Sequence, residues 1–150
     1  MAFPITPSLD GANTPSGQTQ DIFSSLIFST DIFEDGLQIG RFAKLDSGSI
    51  DNLDASTTPV IAGVVLRCVT NAIEDGDTYK ADNTTMVEYQ RAGVVTVEVK
   101  AGQTPTVFGA VTAHNVADAD AGKALATGGV ATGAEFLFQV TPTVWAIRLK

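Results

Sequence analysis

One cysteine, one histidine and one tryptophan occur in the 150 residues, and nine lysines and arginines stand against seventeen acids. Each shortage removes a class of function. Cys68 alone cannot close an internal disulfide, and inside the apolar run 60–69 it has the setting of a buried, inert thiol. A metal centre needs companion ligands and a catalytic histidine needs a nucleophile or carboxylate in reach, but there is no second histidine and no Cys-x-x-Cys pair. The basic residues are scattered, and a net charge of -8 with a pI near 4.3 repels phosphate backbones, so nucleic acid is excluded as a partner. No apolar stretch approaches the roughly 20 residues that cross a bilayer. The opening MAFPITPSLDG also lacks the basic and apolar regions of a secretion signal. The expectation is a soluble protein, made in the cytoplasm, with no membrane partner. Phosphate-cradling glycine loops and G-x-S-x-G elbows are missing too.

What is present leans towards strands. Hydrophobic residues make up 44% of the chain and charged ones 17%, with Gly, Thr, Ala and Val abundant, as in a globular β protein. Residues 1–20 carry Pro4, Pro7 and Pro15 with Gly11 and Gly17 and almost no apolar periodicity, which marks an arm. Residues 21–35, DIFSSLIFSTDIFED, are far more apolar. Ordering these fifteen residues costs on the order of 15–30 kcal/mol, whereas burying their seven large apolar side chains returns roughly 10–20 kcal/mol. Residues 1–35 are therefore expected to form an N-terminal arm that is mobile until docked, leaving 36–150 as the folded domain.

From Gly36 onward short strand patterns alternate with Gly, Asp, Asn and Pro. A strand is expected over 37–45, a loop over 46–59, and a central strand covered on both faces over 60–69, whose Val and Ile content argues against a helix. A further strand is expected over 85–90. The segment GVVTVEVKAGQTPTVFG, residues 93–109, reads as a hairpin: Val95, Val97 and Val99 on one face, then a turn in which Gly102 adopts positive φ without a Cβ penalty. Pro105 marks an edge or the start of a loop. Phe136, Phe138 and Val140 are placed on one face of a late strand, and Trp145, Ile147 and Leu149 on one face of the last, with Arg148 and Lys150 opposite. Strands at this spacing without helical stretches between them predict an all-β fold, a small antiparallel β-barrel, β-tulip or sandwich.

No chemistry emerges from these elements. His114 reads as a solvated or hydrogen-bonded loop residue. Asp118 and Asp120 begin like a Ca²⁺ loop, but Gly122 and Lys123 occupy the positions where another oxygen ligand and a glycine belong. Glu74, Asp75 and Asp77 form a tighter acidic turn able at most to hold a weak Ca²⁺. Asn83-Thr84-Thr85 fits a glycosylation pattern that has no meaning without export. Tyr79, Tyr89 and Trp145 are the only residues available for a carbohydrate platform, and Trp145 at an alternating apolar position belongs to the core. No catalytic, metal or cofactor residue is assigned, and no small-molecule substrate. A non-catalytic ligand-binding β module stays open as an alternative.

The order of the pieces is itself informative. GLQIGRFAKLD, a loop, TPVIAGVVLRCV, then YKADNTTMVEYQRAGVVTVEVKAGQTPTVFGAV, AGKALATGG and a closing WAIRLK resemble the tailed-phage capsid decoration proteins, also called structural cement proteins. The matching positions are Gly36 and Gly40, Ile61 with Gly63 to Val65, the Gly93 to Val99 strand, and Ala101-Gly102 leading to Gly109 to Val111. Thr112 stands where the family often has an aromatic, and the N-terminal arm is this chain's own. The resemblance implies a trimeric β-barrel seated on the outer surface of the virion head, over the major capsid protein, which it clamps in the expanded capsid. It also implies a task for the arm. Phe3, Ile5 and Leu9, with Ile22, Phe23, Leu26, Ile27, Phe28, Ile32 and Phe33, would dock on the capsid or on a neighbouring decoration subunit. A different virion surface component, such as a fibre base or spike, is the nearest alternative.

Overall fold

Residues 26–31, 37–46, 48–55, 58–66, 72–75, 78–81 and 86–150 are described by a computed structural model. The elements in chain order are β1 (Leu26–Asp31), β2 (Leu37–Gln38), β3 (Phe42–Asp46), β4 (Ser49–Asn52), β5 (Ile61–Val65) and β6 (Ala72–Asp75). There follow β7 (Thr78–Ala81), β8 (Met86–Glu98), β9 (Ala110–Ala113), β10 (Ala124–Leu125), β11 (Val130–Thr141) and β12 (Val144–Leu149). The described residues contain no helix, which bears out the all-β expectation. Nine strands form one curled antiparallel sheet in the order β10-β9-β11-β12-β8-β5-β3-β4, with β1 added on β8. β2, β7 and β6 form a small separate sheet. Val99, just past β8, bridges to Ala124 of β10, and the Lys100 N–H donates to the Ala124 carbonyl at 3.0 Å. This contact draws two distant parts of the sheet together into a half-barrel.

Two apolar clusters sit on opposite faces of β3 and β5. Phe42 and Val64 join Val95, Val97, Phe136, Trp145 and Ile147 in the larger one, while Ala43 and Val65 join Leu37, Ile50, Val87 and Tyr89 in the other. Successive side chains of a strand point to opposite faces, so a strand covered on both sides must be apolar throughout. That is why Ile61–Val65 lacks alternation: β5 lies between β3 and β8, and residues 67–69 of the expected strand lie outside the described residues. Val87 and Tyr89 lie in one cluster and Val95 and Val97 in the other, although all are odd-numbered. An extra residue, Arg91, accounts for the switch: Leu26 pairs with Ala92 but Ile27 with Gln90, and Gly93 follows with φ +93°. Buried Gln90 answers the local disruption by donating from Nε2 to the carbonyls of Ala92 at 2.8 Å and Val94 at 3.3 Å.

Five expectations are corrected. The segment 37–45 is not continuous: Gly40 turns the chain at φ +74°, with its N–H on the Val65 carbonyl and its carbonyl accepting from Glu98 N–H, and β2 and β3 go to different sheets. The turn-rich stretch 46–59 contains β4, whose Ile50 and Asp51 are buried, and Asp51 meets Lys44 at 3.3 Å. The 93–109 hairpin does not form. Its turn does, with Gly102 at φ +79° and Gln103 N–H on the Lys100 carbonyl, but β12 occupies the edge of β8 where the return strand would lie, and β9 pairs with β10 and β11 instead. β8 accordingly runs as one strand from Met86 to Glu98 rather than starting afresh after 85–90. Finally, Phe136 and Phe138 do not share a face. Phe136 pairs with Ile147 and Phe138 with Ala146, so Leu137 is an extra residue that turns Phe138 outward.

Candidate interaction surface

The polar side chains brought together by the fold make a clamp. Buried Arg41, between β2 and β3, donates from Nε to Glu98 Oε2 at 2.6 Å and from a terminal nitrogen to the carbonyls of Ala119 at 2.7 Å and Ala121 at 3.4 Å. The fork of a guanidinium suits several acceptors at once. It fixes the 114–123 loop onto β3, helped by Phe42 N–H on the Gly122 carbonyl and Gly122 N–H on the His114 carbonyl, both 2.8 Å. Gly122 must be glycine: its φ is +77°, and a Cβ there would run into the Phe42 carbonyl oxygen.

Around the same loop His114 Nε2 lies 3.0 Å from Asp118 Oδ2 and 3.3 Å from Lys100 Nζ, and Asp120 bridges Lys100 at 3.4 Å and Lys123 at 2.9 Å. Hydrogen bonding to His114 and to the Asp120 N–H holds the Asp118 carboxyl below the usual range, and Lys123 does the same for Asp120. These contacts satisfy the histidine as the sequence predicts. The pairings are ones that tie a loop down; none sets a nucleophile beside a base. Among the described residues there is no group of three His, Cys, Asp or Glu placed to share a metal ion. Cys68, Asp77 and Asn83 lie outside the described residues.

Among the described residues two shallow hollows stand out. One, of about 220 Å³, lies beneath the 100–105 turn against Gln139, Pro142 and Trp145; another, of about 310 Å³, lies over Arg41 and Asp118. Both sit at or below the roughly 300–1,000 Å³ typical of small-molecule sites. Trp145 and Tyr89 are buried, so neither offers a platform for a sugar ring; Trp145 stands edge-on to Phe136 with centroids 5.5 Å apart.

The unusual surface lies elsewhere. Phe108 is 69% exposed, Val107 56% and Phe138 40%. Phe108 N–H donates to the Phe136 carbonyl at 2.7 Å and Phe136 N–H to the Gly109 carbonyl at 2.9 Å, which sets residues 108–109 alongside β11 at Phe136. Thr106 to Gly109 is a turn closed by Gly109 N–H on the Thr106 carbonyl, and its third residue, Phe108, has φ +62°. Turns of this kind ask for Gly or Asn at that place. A bulky side chain there costs about 1–2 kcal/mol, and Phe108 is the one non-glycine residue with positive φ in the described chain.

Charge sets this region apart as well. Residues 101–113, 124–134 and 136–147 contain no charged side chain, while Glu135, between the last two, pairs with Ala110 and is bridged by Arg148 and Lys150. In the last fifty residues Asp118, Asp120 and Glu135 balance Lys123, Arg148 and Lys150, so the net charge of -8 resides in residues 1–100. Leu45, Val60 and Val116 are also exposed, and Leu45 and Val60 are neighbours, the Leu45 N–H donating to the Val60 carbonyl at 2.8 Å.

Of the arm residues expected to bind a partner, Phe3, Ile5, Leu9, Ile22, Phe23, Ile32 and Phe33 lie outside the described residues. Leu26, Ile27 and Phe28 lie in β1, whose backbone pairs with β8 from Met86 to Ala92. The Val107, Phe108 and Phe138 surface was not anticipated from sequence. Its signal was available in the adjacent apolar pair Val107-Phe108, which breaks alternation between Pro105 and Gly109, and in the uncharged segments around it.

Among curated proteins none matches. A chain from the solved capsid of Myoviridae phage XM1 is similar at 34% sequence identity and a TM-score of 0.80, over 91% of this chain and 90% of that one. The model of the XM1 gp53 minor capsid protein family matches residues 9–148. Fold and sequence thus agree over nearly the full length, meeting the resemblance to phage head proteins read from the strand order, and the chain belongs to the XM1 gp53 minor capsid protein family, a family of capsid-associated phage proteins.

Proposed function

We propose that this protein decorates the outside of a phage head, clamping neighbouring major capsid protein subunits of the expanded capsid as a trimer. That it is a structural component of a phage capsid follows from family membership, and the family points to a structural role and not to catalysis. The outer surface, the clamp and the trimer are our reading. The observation that carries it is the pairing of a strand-only domain, lacking any assembled reaction centre among its described residues, with exposed apolar residues at Val107 and Phe108. An expanding shell needs contact area spread over several subunits. A symmetric trimer makes several weak contacts at once, which multiply through effective concentration.

The charge favours the outside. A protein of net charge -8 facing packaged DNA would meet phosphate repulsion, whereas the exterior imposes none. Residues 1–35 are proposed as a binding arm, with Phe3, Ile5, Leu9, Ile22, Phe23, Leu26, Ile27, Phe28, Ile32 and Phe33 supplying its apolar contacts. No nucleic acid, membrane or cofactor enters this function. The test is co-sedimentation of the purified protein with undecorated expanded heads and with unexpanded procapsids of its virus. Saturable binding to expanded heads, in multiples of three copies per site, is expected; absence of binding to either particle would overturn the proposal.

A further inference from the structure

His114 is the one histidine of the chain, and its Nε2 faces two partners of opposite kind. Asp118 offers both carboxylate oxygens, Oδ1 at 3.2 Å and Oδ2 at 3.0 Å, while Lys100 Nζ stands at 3.3 Å. An ammonium can only donate, and an ionised carboxylate can only accept. One ring nitrogen therefore serves one of them at a time: with a proton it donates to Asp118, and without one it accepts from Lys100. The two partners belong to different parts of the chain. Asp118 lies in the 114–123 loop that carries His114 itself, whereas Lys100 opens the 100–105 turn behind β8. Which partner the imidazole takes decides whether it joins its loop to that turn or closes the loop on itself.

The surroundings assign a partner to each protonation state. In the imidazolium both ring nitrogens carry protons, so Nε2 must donate, and of the two partners only the carboxylate accepts. The like charge of Lys100 at 3.3 Å is then repelled. In the neutral ring Nε2 is able to accept. Asp118 can do without it, because its carboxylate also accepts the Asp120 N–H at 2.8 Å and is 44% exposed to water. Lys100 is 29% exposed, and the acid it also reaches, Asp120 at 3.4 Å, is held closer by Lys123 at 2.9 Å. A donor left short in the less exposed place costs more than an acceptor left to water, so the neutral ring serves Lys100. The other charges nearby keep their state. The carboxyls of Asp118 and Asp120 lie below the usual range, through hydrogen bonds to His114 and to Lys123, so both stay ionised where histidines titrate, between about pH 5 and 8. Arg41, from the turn ahead of β3, holds the carbonyls of Ala119 and Ala121 with its charge paired to Glu98, and Asp54, on the hollow over Arg41, is paired with Lys44. We propose that His114 is a proton-operated switch: neutral, it accepts from Lys100 and joins the 114–123 loop to the 100–105 turn; protonated, it donates to Asp118 and leaves Lys100 to the longer pair with Asp120.

Nitrogen NMR of the labelled full chain tests this directly, since a single histidine makes the two ring signals unambiguous. At about pH 8.5 the wild type is expected to carry its ring proton on Nδ1 with Nε2 bare, and at about pH 5 to carry protons on both. The backbone amide signals of Ala101 and Gly102 should move through the same transition, because the turn then loses a partner. In Lys100→Met the donor is gone, so the alkaline ring should hold its proton on Nε2, against Asp118, and the Ala101 and Gly102 signals should stay still. Lys100→Arg keeps a donor and should return the proton to Nδ1. The Lys100 side chain is partly exposed, so neither substitution should disturb the fold, which unchanged circular dichroism checks. A wild type with Nε2 protonated at about pH 8.5 would overturn the proposal, as would Ala101 and Gly102 signals that follow pH in Lys100→Met as they do in the wild type. Head binding plays no part in the readout, so this result stands apart from the decoration role.

Discussion

Arg41 and Glu98, 57 positions apart in the chain, meet at 2.6 Å between Nε and Oε2. The pair links the turn ahead of β3 to the end of β8, and through the same guanidinium reaches the carbonyls of Ala119 and Ala121. Arg41→Met keeps the apolar stem but strands Glu98 and leaves two carbonyls without their donor. The Glu98 side chain is 30% exposed, so water recovers part of its loss and the cost is set below that of a fully buried broken pair, at about 2 kcal/mol. Arg41→Lys should recover little of it, because a single ammonium cannot span the three acceptors. Equilibrium urea unfolding measures both. A wild-type midpoint for Arg41→Met would mean that the clamp contributes nothing.

Gly122 and Gly102 separate two reasons for glycine. Both have positive φ, but a Cβ on Gly102 meets open space and one on Gly122 meets the Phe42 carbonyl oxygen. Gly102→Ala should cost about 1 kcal/mol, the strain of the backbone alone. Gly122→Ala should cost about 3 kcal/mol or more, because the 114–123 loop must also retreat from β3. Equal melting temperatures for the two variants would contradict the close approach.

The acid and alkaline limbs of stability have separate sources. Asp118, through His114, Asp120, through Lys123, and Glu135, through Lys150, all have carboxyls held below their usual range in the folded state. Such groups add stability that is fully present above the unfolded pKa of about 4 and is lost as the pH falls through their lowered folded values. Lys44 behaves oppositely. Burial disfavours its charge, but hydrogen bonds to Asp54 and Asp51 outweigh this and raise its pKa. Its contribution is complete below about 10.5 and disappears as the pH rises through the raised value. Melting temperature should therefore fall below pH about 4 and again above about 10.5. Asp120→Asn should flatten the acid limb, and Lys44→Met the alkaline one.

How much of this was legible beforehand depends on what each feature rests on. The all-β class was legible because period-two alternation and turn formers are local properties, and Trp145 and Ile147 fell inside as alternation requires. β4 was hidden because Ser49, Asp51 and Asn52 look like turn residues, and Lys44 together with the Asn52 N–H makes Asp51 acceptable in a buried place. The 93–109 hairpin failed for a non-local reason: its turn is correct, but β12, forty residues further on, takes the edge of β8. Bulges at Arg91 and Leu137 shift faces without any composition signal, which is how Phe138 came to point outward. The Phe108 surface is a conflict between residue and backbone, visible only once φ is known.

That conflict yields a paired expectation. Replacing Phe108 by Asn relieves a bulky residue of positive φ and removes an exposed apolar ring that the free molecule does not bury. The isolated domain should gain up to about 1 kcal/mol, read as a rise of a few degrees in melting temperature under dilute, monomeric conditions. Capture by expanded heads should weaken in the same variant. Opposite movement of stability and assembly is the mark of a strained functional residue, whereas a loss of both would mean that Phe108 serves the fold.

The last expectation concerns the arm. Deleting residues 1–20 removes Phe3, Ile5 and Leu9 but leaves β1 and both apolar clusters in place. The melting temperature should stay within about 1 °C of the wild type, since every residue of both apolar clusters is retained. Capture by expanded heads should fall by about tenfold, the loss of roughly 1.4 kcal/mol that one modest apolar docking contact supplies. Stoichiometry on heads, measured at several protein concentrations, distinguishes a weaker site from a missing one. If the truncated chain saturates heads at the same concentration as the full chain, the arm has no part in docking and the clamp must be made by the barrel alone. If it neither binds nor melts as the wild type does, the arm serves the fold instead, and its apolar residues belong with β1 as part of the domain.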